Sequence, residues 1–195
     1  MDMNDSIGDC TIAGVAHCIQ RWDDTVLTDA QVLAAYEAIG GYNPADPKTD
    51  QGCAETDVLN TWMTTGIGGD VLAGYAALNV TDLSEIKDAI NWFGCVYIGL
   101  NLPASAESNT SQWDVVPGSP IVGGHCVIIV GYVNDVYYIV SWGMLIPTTA
   151  AFLGQYMEEA YAPLSKDFVA HAGTTPEGLN WDALEADMAE LKALA

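Results

Sequence analysis

An α+β fold is what the sequence predicts, with an N-terminal helical part followed by a C-terminal antiparallel β part. Before Gly66 the apolar residues recur at helical intervals, and after it short β-branched and aromatic runs take over with an occasional helical pattern between them. The chain has 195 residues, 50% of them hydrophobic, enough for one substantial core or two small subdomains packed together. The change of texture divides it into a helical subdomain at 1–95, an antiparallel β subdomain at 96–165, and a connector with a C-terminal amphipathic helix at 166–195.

Taken in order, the first helix runs from Cys10 to about Arg21, where Ile12, Val15, Ile19 and Trp22 supply an apolar face that no proline interrupts. Thr28 is an N-cap for a second helix at Asp29 to Ile39, stopped by Gly40-Gly41. The turn-rich loop GYNPADPKTDQG leads into a third helix near Ala54 to Thr65. DVLAGYAAL and CVYIGLNL are strands, separated by a helix at Asp82 to Trp92 on which Leu83, Ile86 and Ile90 share a face. HCVIIVGYV and DVYYIVSW, divided by Val133-Asn134-Asp135, form a hairpin with a buried first strand. A helix at Ala150 to Met157 and a strand in EEAYAPLS follow. In the tail, Pro176 opens a helix striped by Trp181, Leu184, Met188, Leu191 and Leu194.

Charge excludes several functions. The formal charge is −21, from 26 acids against five bases, and no basic stripe appears, so a nucleic-acid partner is not expected. The acids are spread from Asp2 to Glu190, as on a solvated globular surface. No signal peptide and no membrane span are predicted: the most apolar run, Val127 to Val140, is broken by Asn134 and Asp135. A cytoplasmic or virion-associated protein without membrane contact is the resulting expectation. The five cysteines are an odd number without a CxxC pair, so at least one thiol is free.

Three residues stand out chemically: Cys10 at a helix N-terminus, His125 at the start of a buried strand, and Asn4 just upstream of the cysteine. The positive end of a helix favours a thiolate, and a neighbouring imidazole can complete an ion pair. Each residue alone is weak, because a buried cysteine is more often inert packing and a lone strand histidine more often structural.

Their order and surroundings resemble the papain-like cysteine peptidases, in particular the compact, propeptide-less proteins of that type met in phage and bacterial genomes. Asn4 stands where that family has a glutamine, and Gly8-Asp9-Cys10-Thr11 stands for its Gly-Ser-Cys-Trp turn. QGCAETDVLNTWMTTGI is similar to the family's Gly-Cys segment and following helix, and EIKDAINWFGCVYIGLNL to the helix and strand that cross into its β subdomain. GGHCVIIVGY and YYIVSWG are similar to its histidine strand and its Asn-Ser-Trp-Gly strand end. The resemblance, collinear over Asn4 to Ser165, implies a papain-like fold and a thiol hydrolase acting on peptide or amide bonds. It implies Cys10 as nucleophile, His125 as base, Asn4 with the Cys10 amide as oxyanion donors, and Trp142 shielding the histidine, with Gly8, Asp9 and Ser141 in support. No cofactor or metal is called for.

The chain also departs from the family. Cys10 and His125 are closer in sequence than the roughly 130–150 residues usual in papain-type enzymes. Val140 stands at the orienting asparagine, and a valine accepts no imidazole N–H, so the third triad member is expected to be missing or supplied elsewhere. Ser141 is adjacent, but alternation turns it to the opposite face from Val140. A rival reading is therefore an inactive papain-like domain serving as a structural or adsorption component of a virus particle, with protein subunits rather than a peptide or amide as partners. A cell-wall amidase of the cysteine-histidine type is a third.

Other candidates carry less. His17 and Cys18 are helix neighbours without zinc spacing, and Asp46 and Asp50 lack a calcium-loop pattern. Cys53 is expected as a free thiol, Cys126 as a core residue facing away from His125, and His171 as solvated. Trp22, Trp62, Trp92 and Trp142 are expected as core and interface aromatics.

Overall fold

The computed structural model describes residues 2–166, 168 and 180–194, apart from the side chains of 187 and 191–194. His171 and Pro176, and the side chains of Leu191 and Leu194, lie outside the described residues.

Helix α1 (Cys10–Asp23) is followed by α2 (Asp29–Gly40) and α3 (Glu55–Thr64). Thr28 caps α2 through a reciprocal pair with Gln31, and Gly41 ends it at φ 67°, a left-handed conformation that glycine adopts without strain. Strand β1 (Gly74–Ala77) precedes α4 (Leu83–Phe93), which Asp82 caps at Ser84 and Glu85. Next come β2 (Val96–Pro103), the short α5 (Ala104–Ser108), β3 (Ile121–Val133), β4 (Val136–Ser141), β5 (Met144–Thr149), α6 (Ala150–Tyr156), β6 (Met157–Leu164) and the C-terminal helix α7 (Trp181–Leu194).

The strands form one six-stranded antiparallel sheet in the order β1-β6-β2-β3-β4-β5. Both faces of its centre are covered. Tyr97, Cys126 and Ile128 pack with Ile12, Val15 and Ile19 of α1 and with Leu59 and Trp62 of α3. On the opposite face Val96, Ile98, Val127, Ile129 and Ile139 pack with Ile86 of α4 and Phe152 and Leu153 of α6. Burial on both sides is why β2 and β3 read as continuous apolar runs rather than as alternating ones.

The differences from the sequence reading have local causes. β5 is an element that the sequence reading does not include; its Pro147 is tolerated because the strand lies at the sheet edge, where a missing N–H costs little. β3 begins before His125, and the β3–β4 hairpin turns on Asn134 at φ 55°. Cys126 is buried as expected, but it packs under α1, where its sulfur would lie 3.3 Å from a Cβ at Gly14. Trp22 and Trp62 stack in the core at 5.6 Å, whereas Trp92 is 42% exposed and Trp142 lies at the site described below. Met188 of α7 meets Gly74 of β1, and Lys166 pairs with Glu185, so this helix makes contacts on its own chain.

Candidate active site

Cys10 is the first residue of α1, and a loop braced by one carboxylate presents it. Asp50 Oδ1 accepts from the Gly8 backbone N–H at 2.9 Å and from the Tyr36 hydroxyl at 2.6 Å, and that hydroxyl in turn accepts from the Gly52 N–H at 2.9 Å. The buried Tyr97 hydroxyl donates to the Thr11 carbonyl at 2.8 Å, pinning the first turn of α1 to the sheet. Asp50 therefore acts as a brace between two loops, a role that the turn-rich composition around it did not signal.

His125 lies at the β3 end near the same helix terminus. Its Nε2 is 2.8 Å from Ser141 Oγ, and its ring stacks on Trp142 with centroids 4.8 Å apart and planes 19° from parallel. Trp142, at φ 49°, and Gly143, at φ 69°, make the left-handed corner between β4 and β5 that carries the indole over the imidazole. Trp113 closes on Trp142 edge-to-face at 6.0 Å. Val140 pairs with Ile128 and packs on the α1 side of the sheet, so it does not orient the histidine. Alternation does turn Ser141 away from Val140, as expected, and the face it reaches is the one His125 uses.

Cys10 and His125 open onto one cleft of about 770 Å³, which continues into a second of about 350 Å³ lined by Asn4, Gly8, Cys10, His125 and Trp142. Asn4 reaches this rim, but its Nδ2 donates to Asp9 Oδ1 at 3.3 Å. Asp9 is 0% exposed, its other oxygen has no partner among the described residues, and burial pushes its carboxyl up to about 7.

Burial also pushes the Cys10 thiol up, reinforced by the negative potentials of Glu55 and Asp9, while backbone hydrogen bonds at Cys126 and Thr11 pull the other way. Burial lowers His125 to about 4. A low-dielectric setting opposes the charged form of each, so both Cys10 and His125 favour their neutral forms. The contact fits either tautomer; in the one in which Nε2 donates to Ser141, the lone pair sits on Nδ1, the form needed to take a proton from a thiol.

The remaining candidates are placed as follows. His17 pairs with Asp2 at 2.9 Å, Asp46 caps Lys48, and Cys10, Cys18, Cys53, Cys95 and Cys126 are all free thiols. Among the described residues no cluster of three or more His, Cys, Asp or Glu is arranged to hold a metal ion. No described helix is long and apolar enough to cross a membrane. Two acids that the sequence reading passed over, Glu55 and Glu159, also line the larger cleft.

The fold of the chain has counterparts among solved structures. The Carica candamarcensis cysteine protease CMS1MS2, determined in complex with E-64, matches with a TM-score of 0.59 at 14% identity, covering 82% of this chain and 89% of that one. The chain has a papain-like fold. Xylellain, a cysteine protease from Xylella fastidiosa, matches this papain-like chain with a TM-score of 0.54 at 14% identity, over 82% of this chain and 80% of that one. The digestive procathepsin L2 proteinase from Tenebrio molitor larval midgut gives 0.54 at 16% identity, over 82% and 62%. No protein-family model matches the sequence, and no curated protein matches it. At such low identity the papain-like likeness lies in the backbone.

Proposed function

We propose that this chain is a thiol hydrolase of peptide or amide bonds, with Cys10 as nucleophile, His125 as general base and Ser141 as the residue that orients the imidazole. The observation that carries the reading is the 2.8 Å contact of His125 Nε2 with Ser141 Oγ on a cleft that Cys10 also lines; with Nε2 as the donor, Nδ1 is free to take the thiol proton. In the reaction His125 takes the Cys10 proton as the sulfur attacks the carbonyl carbon. The Cys10 backbone N–H, one of the first-turn groups that a helix leaves without an intrahelical acceptor, faces the developing oxyanion, with Asn4 as second donor once it leaves Asp9. The imidazolium then protonates the departing amine, and a water deprotonated by His125 releases the acid from the thioester.

Because Cys10 and His125 favour their neutral forms, alkylation of Cys10 by iodoacetamide is expected to be slow at pH 5 and to rise towards pH 9, with the rise blunted in His125→Ala. Turnover of a degenerate fluorogenic peptide set is expected to vanish in Cys10→Ala and to fall by orders of magnitude in His125→Ala. In Ser141→Ala it should fall roughly tenfold, the worth of one hydrogen bond. Absence of turnover in the unaltered protein, with His125-independent alkylation, overturns the proposal. That result would favour the rival reading of a catalytically silent papain-like domain in an assembly such as a virus particle. The Asn4–Asp9 hydrogen bond favours that rival, because it draws an oxyanion donor away.

A further inference from the structure

Helix α1 is laid along the chain entering β2 by three side-chain contacts in register. At one end the Tyr97 hydroxyl donates to the Thr11 carbonyl at 2.8 Å, and at the other the Trp22 indole N–H donates to the Phe93 carbonyl at 2.8 Å. Between them Cys18 and Cys95 meet sulfur to sulfur at 3.5 Å, and both are fully buried. Thr11, Cys18 and Trp22 thus meet Tyr97, Cys95 and Phe93 in reverse order, so the two segments run antiparallel and the thiols are held side by side from both directions. A disulfide bond is about 2.05 Å long, so closing it needs an approach of about 1.5 Å, shared between two side chains. Cys10, Cys53 and Cys126 lie apart from this pair and line the cleft.

We propose that Cys18 and Cys95 form a structural disulfide that ties α1 to β2, made by exchange with a low-molecular-weight disulfide such as glutathione disulfide while the chain folds. The proposal does not depend on the hydrolase reading. One cysteine thiolate attacks glutathione disulfide, breaking its S–S bond, releasing one glutathione thiolate and leaving a mixed disulfide. The second cysteine, as thiolate, displaces the remaining glutathione, so the protein gains one S–S bond, loses two thiol protons, and its two electrons leave on two molecules of glutathione. The exchange belongs to folding rather than to the finished protein, because neither sulfur is exposed in the fold and burial, with the hydrogen bond to Cys95, pushes the Cys18 thiol well up. The same burial keeps reductants from the bond once it has formed. The bond closes a span of 77 residues, and a cross-link over so long a loop removes much freedom from the unfolded chain. It also holds α1 to the sheet without consuming Cys10.

The test refolds the whole, reduced and denatured chain in a mixture of reduced and oxidised glutathione, and in parallel in dithiothreitol. Each product is unfolded in guanidinium chloride with N-ethylmaleimide, and its added mass counts the free thiols. The glutathione product should carry label on Cys10, Cys53 and Cys126 alone, and its unreduced digest should contain the Cys18 peptide joined to the Cys95 peptide. The dithiothreitol product should carry label on all five cysteines and melt lower by about 5 °C or more. In Cys95→Ala the two products should melt alike. Label on all five cysteines after refolding in glutathione overturns the proposal, as does a bond between any other pair. Refolding in dithiothreitol but not in glutathione overturns it too, and so does a Cys18–Cys95 bond that leaves Tm unchanged. If the chain refolds in neither buffer, the native protein is treated with diamide, a small diazene that takes up two electrons and two protons, and scored by the same count: a joined Cys18–Cys95 peptide upholds the proposal, and five labelled thiols overturn it.

Discussion

Asp9 is the residue where this site departs most from a thiolate-stabilising helix end. It occupies the N-cap position of α1 yet makes no capping hydrogen bond, and it carries a carboxyl pushed up to about 7 beside the nucleophile. An unfolded aspartate titrates near 3.9, so between about pH 4 and pH 7 the folded chain keeps a proton that the unfolded chain has released. Stability conferred by this group is therefore full below about pH 4, declines as pH rises, and is level above about 7. Asp9→Asn is expected to stabilise the protein by up to about 4 kcal/mol at pH 8 and by almost nothing at pH 4, measured by urea unfolding at the two pH values. The same change removes a negative neighbour of Cys10 and should speed its alkylation at pH 8.

At the scale of elements, the seating of α1 on the sheet determines where Cys10 sits. Gly14 is the point of closest approach: a Cβ there would lie 2.7 Å from Tyr97 Cε2 and 3.3 Å from Cys126 Sγ. Tyr97 is held from behind, being fully buried with its hydroxyl bonded to Thr11, so the helix has to move instead. Overpacking of this kind costs about 1–3 kcal/mol, against roughly 1 kcal/mol gained from alanine's helix propensity. Gly14→Ala is expected to lower Tm by about 2–6 °C in a thermal melt and, by lifting the first turn, to slow turnover more than the stability loss explains. The β3–β4 hairpin does the corresponding work for His125, since its register brings Ser141 onto the imidazole's face.

For the whole molecule, the charge of −21 is a standing repulsion that the few bases do little to relieve. Lys87 pairs with Asp135 at 3.2 Å at an exposed position, and such a pair contributes little. Raising NaCl from 0.1 to 1 M shortens the screening length from about 10 to about 3 Å. Tm at pH 8 is expected to rise by about 5 °C or more over that range, and by less at pH 4, where most carboxylates are neutral. A salt-independent Tm would mean that the surface acids are already neutralised by bound cations or by one another's spacing.

Local chemistry in the chain was enough to determine most helices and most strands, though not the short α5. Thr28 and Gln31 form their capping box within four residues, Gly41 and Gly94 close helices by adopting φ above zero, and the doubly buried β2 and β3 announce themselves as apolar runs. The order of Cys10, His125 and Ser141-Trp142 along the chain likewise pointed to one fold. What only the tertiary structure decided were the partnerships between distant segments: Ser141 rather than Val140 on His125, Asn4 turned to Asp9, Asp50 bracing Gly8, and Glu55 meeting Glu159 across Gly99. Strand alternation states that neighbouring residues face opposite ways, but which way is settled only when a sheet packs a particular face against a particular helix. Burial, which moves Asp9, Glu55, Cys10 and His125 away from their ordinary protonation, is a property of that packing and has no signature in any single stretch of sequence.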